Sequence, residues 1–126
     1  MLKKGFKDLL AEANAAVDCI SVTTAQELAG RPDVVFVDVR EGHEWAEGHI
    51  PGAVHAPRGL LEFIAAPDGP LHNPELIPQK TLVLYCGTGA RSAFAAKTLK
   101  DMGFPDVRSM VGGIGAWRQA GGEIAR

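Results

Sequence analysis

Thr81-Leu82-Val83-Leu84-Tyr85-Cys86-Gly87-Thr88-Gly89-Ala90-Arg91-Ser92-Ala93-Phe94-Ala95-Ala96 opens on a short apolar run that favours β structure. A cysteine, two glycines within four positions and an arginine follow, and then an alanine-rich run of high helix propensity. This order predicts strand, tight loop, helix, with the loop spanning Cys86 to Arg91. The carboxyl end of a parallel strand, facing a helix N-terminus, is where open α/β sheets bind ligands. Glycine freedom at positions 87 and 89 lets the backbone N–H groups of Gly87 to Arg91 turn inward as a nest. The helix dipole adds partial positive charge and Arg91 a full one. Such a loop favours an anion, and it favours thiolate over thiol at Cys86. An isolated cysteine is more often a small buried hydrophobe, but a core cysteine needs neither the glycine loop nor the arginine.

The rest of the chain supplies the frame for that unit. Its 126 residues suffice for one domain with a real core. Apolar residues at 46% and charged residues at 22% fit a globular chain and exclude a disordered one. A net charge of −2 gives no basic surplus for nucleic acid. The two cysteines, Cys19 and Cys86, lie far apart, which excludes a disulfide framework or a four-ligand zinc site. No cofactor or metal is called for. A reactive thiol stays free in a reducing compartment, so the cytoplasm is expected. No run approaches a membrane span, and charges at Lys7, Asp8 and Glu12 interrupt any signal-peptide core.

Taken in order, Leu2, Phe6, Leu9, Leu10, Ala13 and Val17 form one stripe at helical spacing. Residues 1–18 are therefore expected to be an amphipathic helix docked on a domain formed by residues 19–126; a membrane-surface or dimer-forming role is the alternative. Cys19 to Val22 reads as a short strand with Cys19 as a packing residue, and Thr23 or Thr24 as a helix cap. Val34 to Val39 is the near-continuous apolar run of a central strand buried on both faces. Helical residues from Glu41 to Glu47 stop at Gly48. Ala53 to His55 is a short strand, and Leu60 to Ala65 a helical piece. Four prolines between Pro67 and Pro78 exclude regular structure there and leave a surface loop, placed either to cover the site or merely to connect. Val107 to Val111 is a last strand, followed by a helix from Gly112-Gly113 carrying Trp117. Alternating strands and helices predict an α/β fold: a central parallel sheet of about five strands with helices on both faces, plus the N-terminal helix.

Four pieces, in order, carry a resemblance to the rhodanese family in its single-domain form. They are Asp38-Val39-Arg40 with Glu41 and Glu44; Gly48-His49-Ile50-Pro51-Gly52-Ala53; the Cys86 to Arg91 loop after Val83-Leu84-Tyr85; and Gly112-Gly113 with Ala116-Trp117. The match spans roughly Ile20 to Gly121 and leaves the N-terminal helix outside. The resemblance implies a sulfurtransferase of the thiosulfate type, without metal or organic cofactor. Cys86 would attack the outer sulfur of thiosulfate or a persulfide donor, become a persulfide, and pass that sulfur to cyanide or a thiol acceptor. A persulfide carrier or interaction module that serves a protein acceptor is the second reading. The third is a cysteine-dependent phosphatase like the related cell-division-cycle enzymes. Those use a loop one residue longer; the six residues from Cys86 to Arg91 make a tighter nest that suits one sulfur.

The loop residues Gly87, Thr88, Gly89, Ala90 and Arg91 are the expected substrate-binding set, with the Thr88 hydroxyl a candidate donor to the persulfide. Arg58 either attracts the anionic donor or is a solvated surface arginine. Asp38 and Arg40 are expected to form a supporting ion pair rather than to catalyse. His49 is expected to make a turn hydrogen bond, since a thiolate stabilised by its nest needs no general base. His43, His55 and His72 show no metal-ligand spacing, and Trp117 belongs to the core.

Overall fold

The computed structural model describes residues 1–126. Five strands form one sheet: β1 (Asp18–Ile20), β2 (Val34–Asp38), β3 (Val54–His55), β4 (Thr81–Tyr85) and β5 (Val107–Met110). Their order is β1-β5-β4-β2-β3, and every neighbouring pair is parallel. Six helices precede, connect or follow them: α1 (Phe6–Ala16), α2 (Val22–Leu28), α3 (Gly42–Glu47), α4 (Leu61–Ala65), α5 (Ala90–Met102) and α6 (Gly113–Gln119). The expected α/β class, parallel sheet and strand number are all present. No helix is long and apolar enough to cross a membrane.

Two cores flank the sheet because strand side chains alternate between faces. Val35, Val37, Leu82 and Leu84 pack with Leu61 and Ile64 of α4 and with Ala95 and Leu99 of α5. Phe36, Val83 and Tyr85 point the other way, to Ala25 of α2 and to Ile114 and Trp117 of α6. Burial on both faces is why β2 and β4 are near-continuous apolar runs.

The chain goes from β2 outward to β3, then returns to place β4 on the other side of β2. The strand order therefore reverses between β2 and β4, and their carboxyl ends open the crevice where such sheets bind ligands. Asp38 and Tyr85 end these two strands and are register partners. The residue after Tyr85 is Cys86.

Several details differ from expectation. The first helix begins at Phe6, because the Asp8 carboxylate accepts the Gly5 N–H at 2.8 Å and caps it there. Leu2 lies before the helix and is exposed. The helix docks on α5 through buried Ala13, an edge-to-face pair of Phe6 and Phe94 with centroids 6.0 Å apart, and a 2.6 Å bond from Lys100 Nζ to the Ala16 carbonyl. The cap of α2 is Ser21 rather than either threonine: its Oγ accepts the Thr24 N–H at 3.1 Å. Cys19 is not a packing residue but exposed, its Sγ 3.6 Å from Asn14 Oδ1, because the edge strand β1 has no second neighbour to cover it. The proline-rich loop is irregular, as expected, and is tied back to α4: the Leu71 and Asn73 N–H groups donate to the carbonyls of Phe63 and Ile64 at 3.2 and 2.8 Å.

Candidate active site

Cys86 directly follows β4 and is 1% exposed. The Gly89 N–H donates to its Sγ at 3.0 Å, and Gly89 adopts φ +117° to turn that group inward. Burial pushes the Cys86 thiol up. The Ser92 and Gly89 N–H groups, the Ser92 hydroxyl and the Thr88 N–H outweigh burial, so the thiol titrates below its ordinary value. Of the inward N–H groups expected from Gly87 to Arg91, those of Thr88 and Gly89 face the sulfur, joined by Ser92 from the first turn of α5.

Inward N–H groups leave the loop's first carbonyls facing outward, and α6 receives them. The Ile114 N–H donates to the Cys86 carbonyl at 2.9 Å and the Gly115 N–H to the Gly87 carbonyl at 3.3 Å. The approach is so close that a Cβ on Gly113, which sits at φ +60°, would collide with both carbonyl oxygens. The Gly112-Gly113 pair thus serves the cysteine loop directly as well as starting a helix.

Beneath the sulfur lies a pair of buried hydroxyls. Ser92 Oγ is 3.7 Å from Cys86 Sγ, 3.0 Å from the Gly89 carbonyl oxygen and 2.9 Å from Ser109 Oγ on β5. One hydroxyl hydrogen has three possible acceptors here, so its direction follows the state of the sulfur. A thiol donates to Ser92 Oγ. A thiolate accepts from Ser92 while Ser109 donates to Ser92 in turn. Neither serine stands out in the sequence, because a serine within a helix and another within a strand are ordinary until the fold brings them together.

Arg91 sits in the first turn of α5, but its guanidinium is engaged. Nη1 and Nη2 donate to Glu44 Oε1 and Oε2 of α3 at 2.7 and 3.0 Å. Glu44 Oε1 also accepts the Glu41 N–H at 3.1 Å, capping α3. The Arg91 hydrogen bonds hold the Glu44 carboxyl at about 2, well below the usual carboxylate range. The guanidinium lies over Gly87, where a Cβ would come within 3.3 Å of Nη2. The groups that stabilise the thiolate are backbone N–H groups and a serine, with the arginine a more distant neighbour.

The remaining candidates take supporting places. Asp38 is fully buried and receives Arg40 Nε at 3.0 Å, Arg40 Nη2 at 2.7 Å and the Arg40 N–H at 3.0 Å. Arg40 Nη2 also donates to the Gly48 carbonyl at 2.7 Å. The Tyr85 hydroxyl accepts the Ile50 N–H at 3.0 Å, and burial raises its titration. His49 Nδ1 bonds the Trp45 carbonyl at 3.1 Å, and its ring stacks on Trp45, which also stacks on His55. These groups brace the crevice from β2, α3 and the following turn. Arg58 shares a groove with Arg91, but donates to Glu62 at 3.2 Å and Thr98 at 3.2 Å. Thr88 is exposed and its hydroxyl makes no hydrogen bond to the protein, whereas its backbone N–H contributes to the nest.

Thr88, Gly89 and Ala90 form one wall of a cleft of about 310 Å³ completed by Leu10, Asn14 and Cys19, among others. A separate, roomier groove of about 510 Å³ runs from Arg91 along α5 beside Leu9 and Phe94. The proline-rich loop contributes no residue to either. No group of three or more histidine, cysteine or carboxylate side chains is arranged to hold a metal ion.

Comparison with known proteins identifies relatives of the chain. The family model described as "Rhodanese-like domain" matches residues 21–120. A protein of Allochromatium vinosum named "Sulfurtransferase" is 36% identical over 101 residues, covering 80% of this chain and 87% of the relative. The "Putative sulfur carrier protein YrkF" of Bacillus subtilis is 31% identical over 116 residues, covering 92% of this chain and 58% of the relative. Among solved structures, a Rhodopseudomonas palustris protein of unknown function, described as a possible tyrosine phosphatase, superimposes with a TM-score of 0.90 at 41% identity, covering 99% of this chain and 97% of that one.

Proposed function

The chain belongs to the rhodanese-like domain family, and from that premise we propose that it transfers sulfane sulfur through a persulfide on Cys86. The observation that carries this reading is the nest itself: a buried sulfur facing inward N–H groups, with its thiol lowered despite burial. A thiolate there attacks the outer sulfur of thiosulfate or of a persulfide. The donor's S–S bond breaks, and its electron pair leaves on sulfite or on the donor thiolate. The new persulfide anion occupies the same N–H groups. A thiolate or cyanide then attacks the outer sulfur and regenerates the Cys86 thiolate. Every step is a displacement at sulfur, so no oxidant or reductant enters. Gly87 to Arg91 form the binding loop, and Asp38, Arg40 and His49 hold its surroundings.

A carrier that hands its sulfur to a protein acceptor uses the same chemistry, and the Bacillus relative's name supports that reading. The Rhodopseudomonas description raises phosphate ester hydrolysis for this chain. The six-residue loop and the engagement of Arg91 by Glu44 favour sulfur instead.

Intact mass is the test. Separate aliquots are treated briefly with thiosulfate and with cysteine persulfide, and half of each then receives cyanide. One added sulfur, mapping to Cys86 and removed by cyanide, is expected from at least one donor and is absent from Cys86→Ser. Failure of both donors to add sulfur overturns the reading, and Cys86-dependent hydrolysis of an aryl phosphate would then support the phosphatase instead.

A further inference from the structure

Arg40 and the three cations that line the groove beside the cysteine loop are each paired with a carboxylate. Arg40 is held within the crevice wall by Asp38. Arg58 pairs with Glu62. Arg91, the one charged side chain of the cysteine loop, pairs through both terminal nitrogens with Glu44. Lys97, in the groove beside Arg91, pairs with Asp101. The cleft walled by Thr88, Gly89 and Ala90 contains no charged side chain at all. The nest therefore offers N–H dipoles for the negative charge on sulfur, and no cation lining either cleft is without a carboxylate partner.

This arrangement discriminates between donor classes. Thiosulfate is a dianion that must approach a thiolate, and the repulsion between them needs compensation by positive charge. An organic persulfide, R–S–SH, brings at most one charge on its outer sulfur, which the N–H groups are placed to receive. We propose that Glu44, by engaging Arg91, selects an organic persulfide over a small dianionic donor as the sulfur source for Cys86. This deepens the sulfur-transfer reading and rests on it. In the loading step the Cys86 thiolate bonds to the outer sulfur of R–S–SH, the donor S–S bond breaks, and R–S⁻ leaves with the electron pair. The persulfide proton stays on the transferred sulfur or passes to R–S⁻.

Glu44 is a positioning residue, because it touches Arg91 and not the sulfur. Glu44→Gln isolates its charge, since the amide oxygen still accepts the Glu41 N–H and keeps the α3 cap. Steady-state transfer to cyanide is measured with thiosulfate and with cysteine persulfide, at low and high salt, alongside the mass of Cys86 in each reaction. The parent is expected to favour cysteine persulfide by about tenfold or more in kcat/KM. In Glu44→Gln the thiosulfate-to-persulfide ratio rises by about tenfold, chiefly through a lower KM for thiosulfate, and salt erodes that gain as screening requires. Arg91→Ala combined with Glu44→Gln abolishes the gain, which a general loosening of α3 would not do.

A parent that loads Cys86 equally well from both donors overturns the proposal while leaving sulfur transfer intact. So does a donor ratio unmoved by Glu44→Gln. A Cys86 that gains sulfur from neither donor overturns both. The parent's donor ratio needs no variant, so the proposal remains falsifiable even if Glu44→Gln folds poorly.

Discussion

Cys86 shows how burial and activation coexist in one side chain. Taking a thiol out of water disfavours its charged form, yet here the surrounding N–H groups and Ser92 reverse the sign. Ser92→Ala removes the hydroxyl and leaves the backbone donors. The Cys86 alkylation rate plotted against pH is expected to move to higher pH, and sulfur loading near neutrality to slow by about tenfold, in line with a lost hydrogen bond to a charged group. Ser92→Thr keeps the hydroxyl and should restore most of the loss. Ser109→Ala is expected to act in the same direction but more weakly, since Ser109 reaches the sulfur only through Ser92. An alkylation profile identical to the parent's in Ser92→Ala would show that the N–H groups suffice. At this scale the cysteine and its loop were legible, because glycine freedom and a cation leave marks in sequence. The serines were not, because their value lies in a contact between residues 17 positions apart. Arg91 was legible as a charge but not as half of a pair, for its partner Glu44 is 47 positions away.

Between elements, two junctions hold the loop. The first joins α6 to the carbonyls of Cys86 and Gly87. Gly113→Ala adds a methyl where those carbonyls stand, at a φ that disfavours any side chain. The backbone must move, so a loss of about 2–4 kcal/mol in unfolding free energy is expected. Sulfur loading should fall even in the fraction that stays folded. Gly121→Ala is the control: φ is +80° but nothing lies within 4 Å of the added methyl, so only the backbone penalty of about 1 kcal/mol applies. Urea midpoints separate the two, and equal midpoints would deny the close approach its importance. The second junction is Glu44 with Arg91, joining α3 to α5. The carboxyl titrates near 2 in the folded chain, below its ordinary 4.5. A depressed carboxylate adds stability above its unfolded value and loses it as pH falls through the folded one. Glu44→Gln should therefore be less stable than the parent above about pH 4.5 and converge with it toward pH 2. The gap should stay below about 1 kcal/mol, because the pair is partly exposed and screened. A gap that persists undiminished at pH 2 would trace the effect to the α3 cap instead. Sequence patterns located these helices to within a few residues, but junctions between helices distant in the chain carry no periodicity to read.

Across the whole molecule, the parallel sheet was legible because strands buried on both faces read as near-continuous apolar runs, as β2 and β4 do. Strand order was not, since pairing depends on which crossovers close around a common core. That order nonetheless sets the site: it places Asp38 beside Tyr85 and so beside Cys86. The Asp38–Arg40 pair then joins β2 to the turn at Gly48, while the Tyr85 hydroxyl ties β4 to Ile50. No buried side-chain nitrogen or oxygen lacks a partner, so the network is complete. Complete buried ion pairs add little relative to an apolar core, but breaking one strands a charge. Asp38→Asn keeps the shape and leaves the Arg40 guanidinium buried opposite a neutral amide. A loss of about 3 kcal/mol or more is expected, a large part of the roughly 5–15 kcal/mol that holds a domain together. The urea midpoint should fall with little change in the slope of the transition. Replacing both partners at once, as in Asp38→Leu with Arg40→Met, should cost less than Asp38→Asn alone, because no charge is left stranded. The alkylation profile of Cys86 in folded Asp38→Asn should match the parent's, since Asp38 does not touch the sulfur. A shifted profile, with stability unchanged, would move Asp38 from the frame of the site into its chemistry.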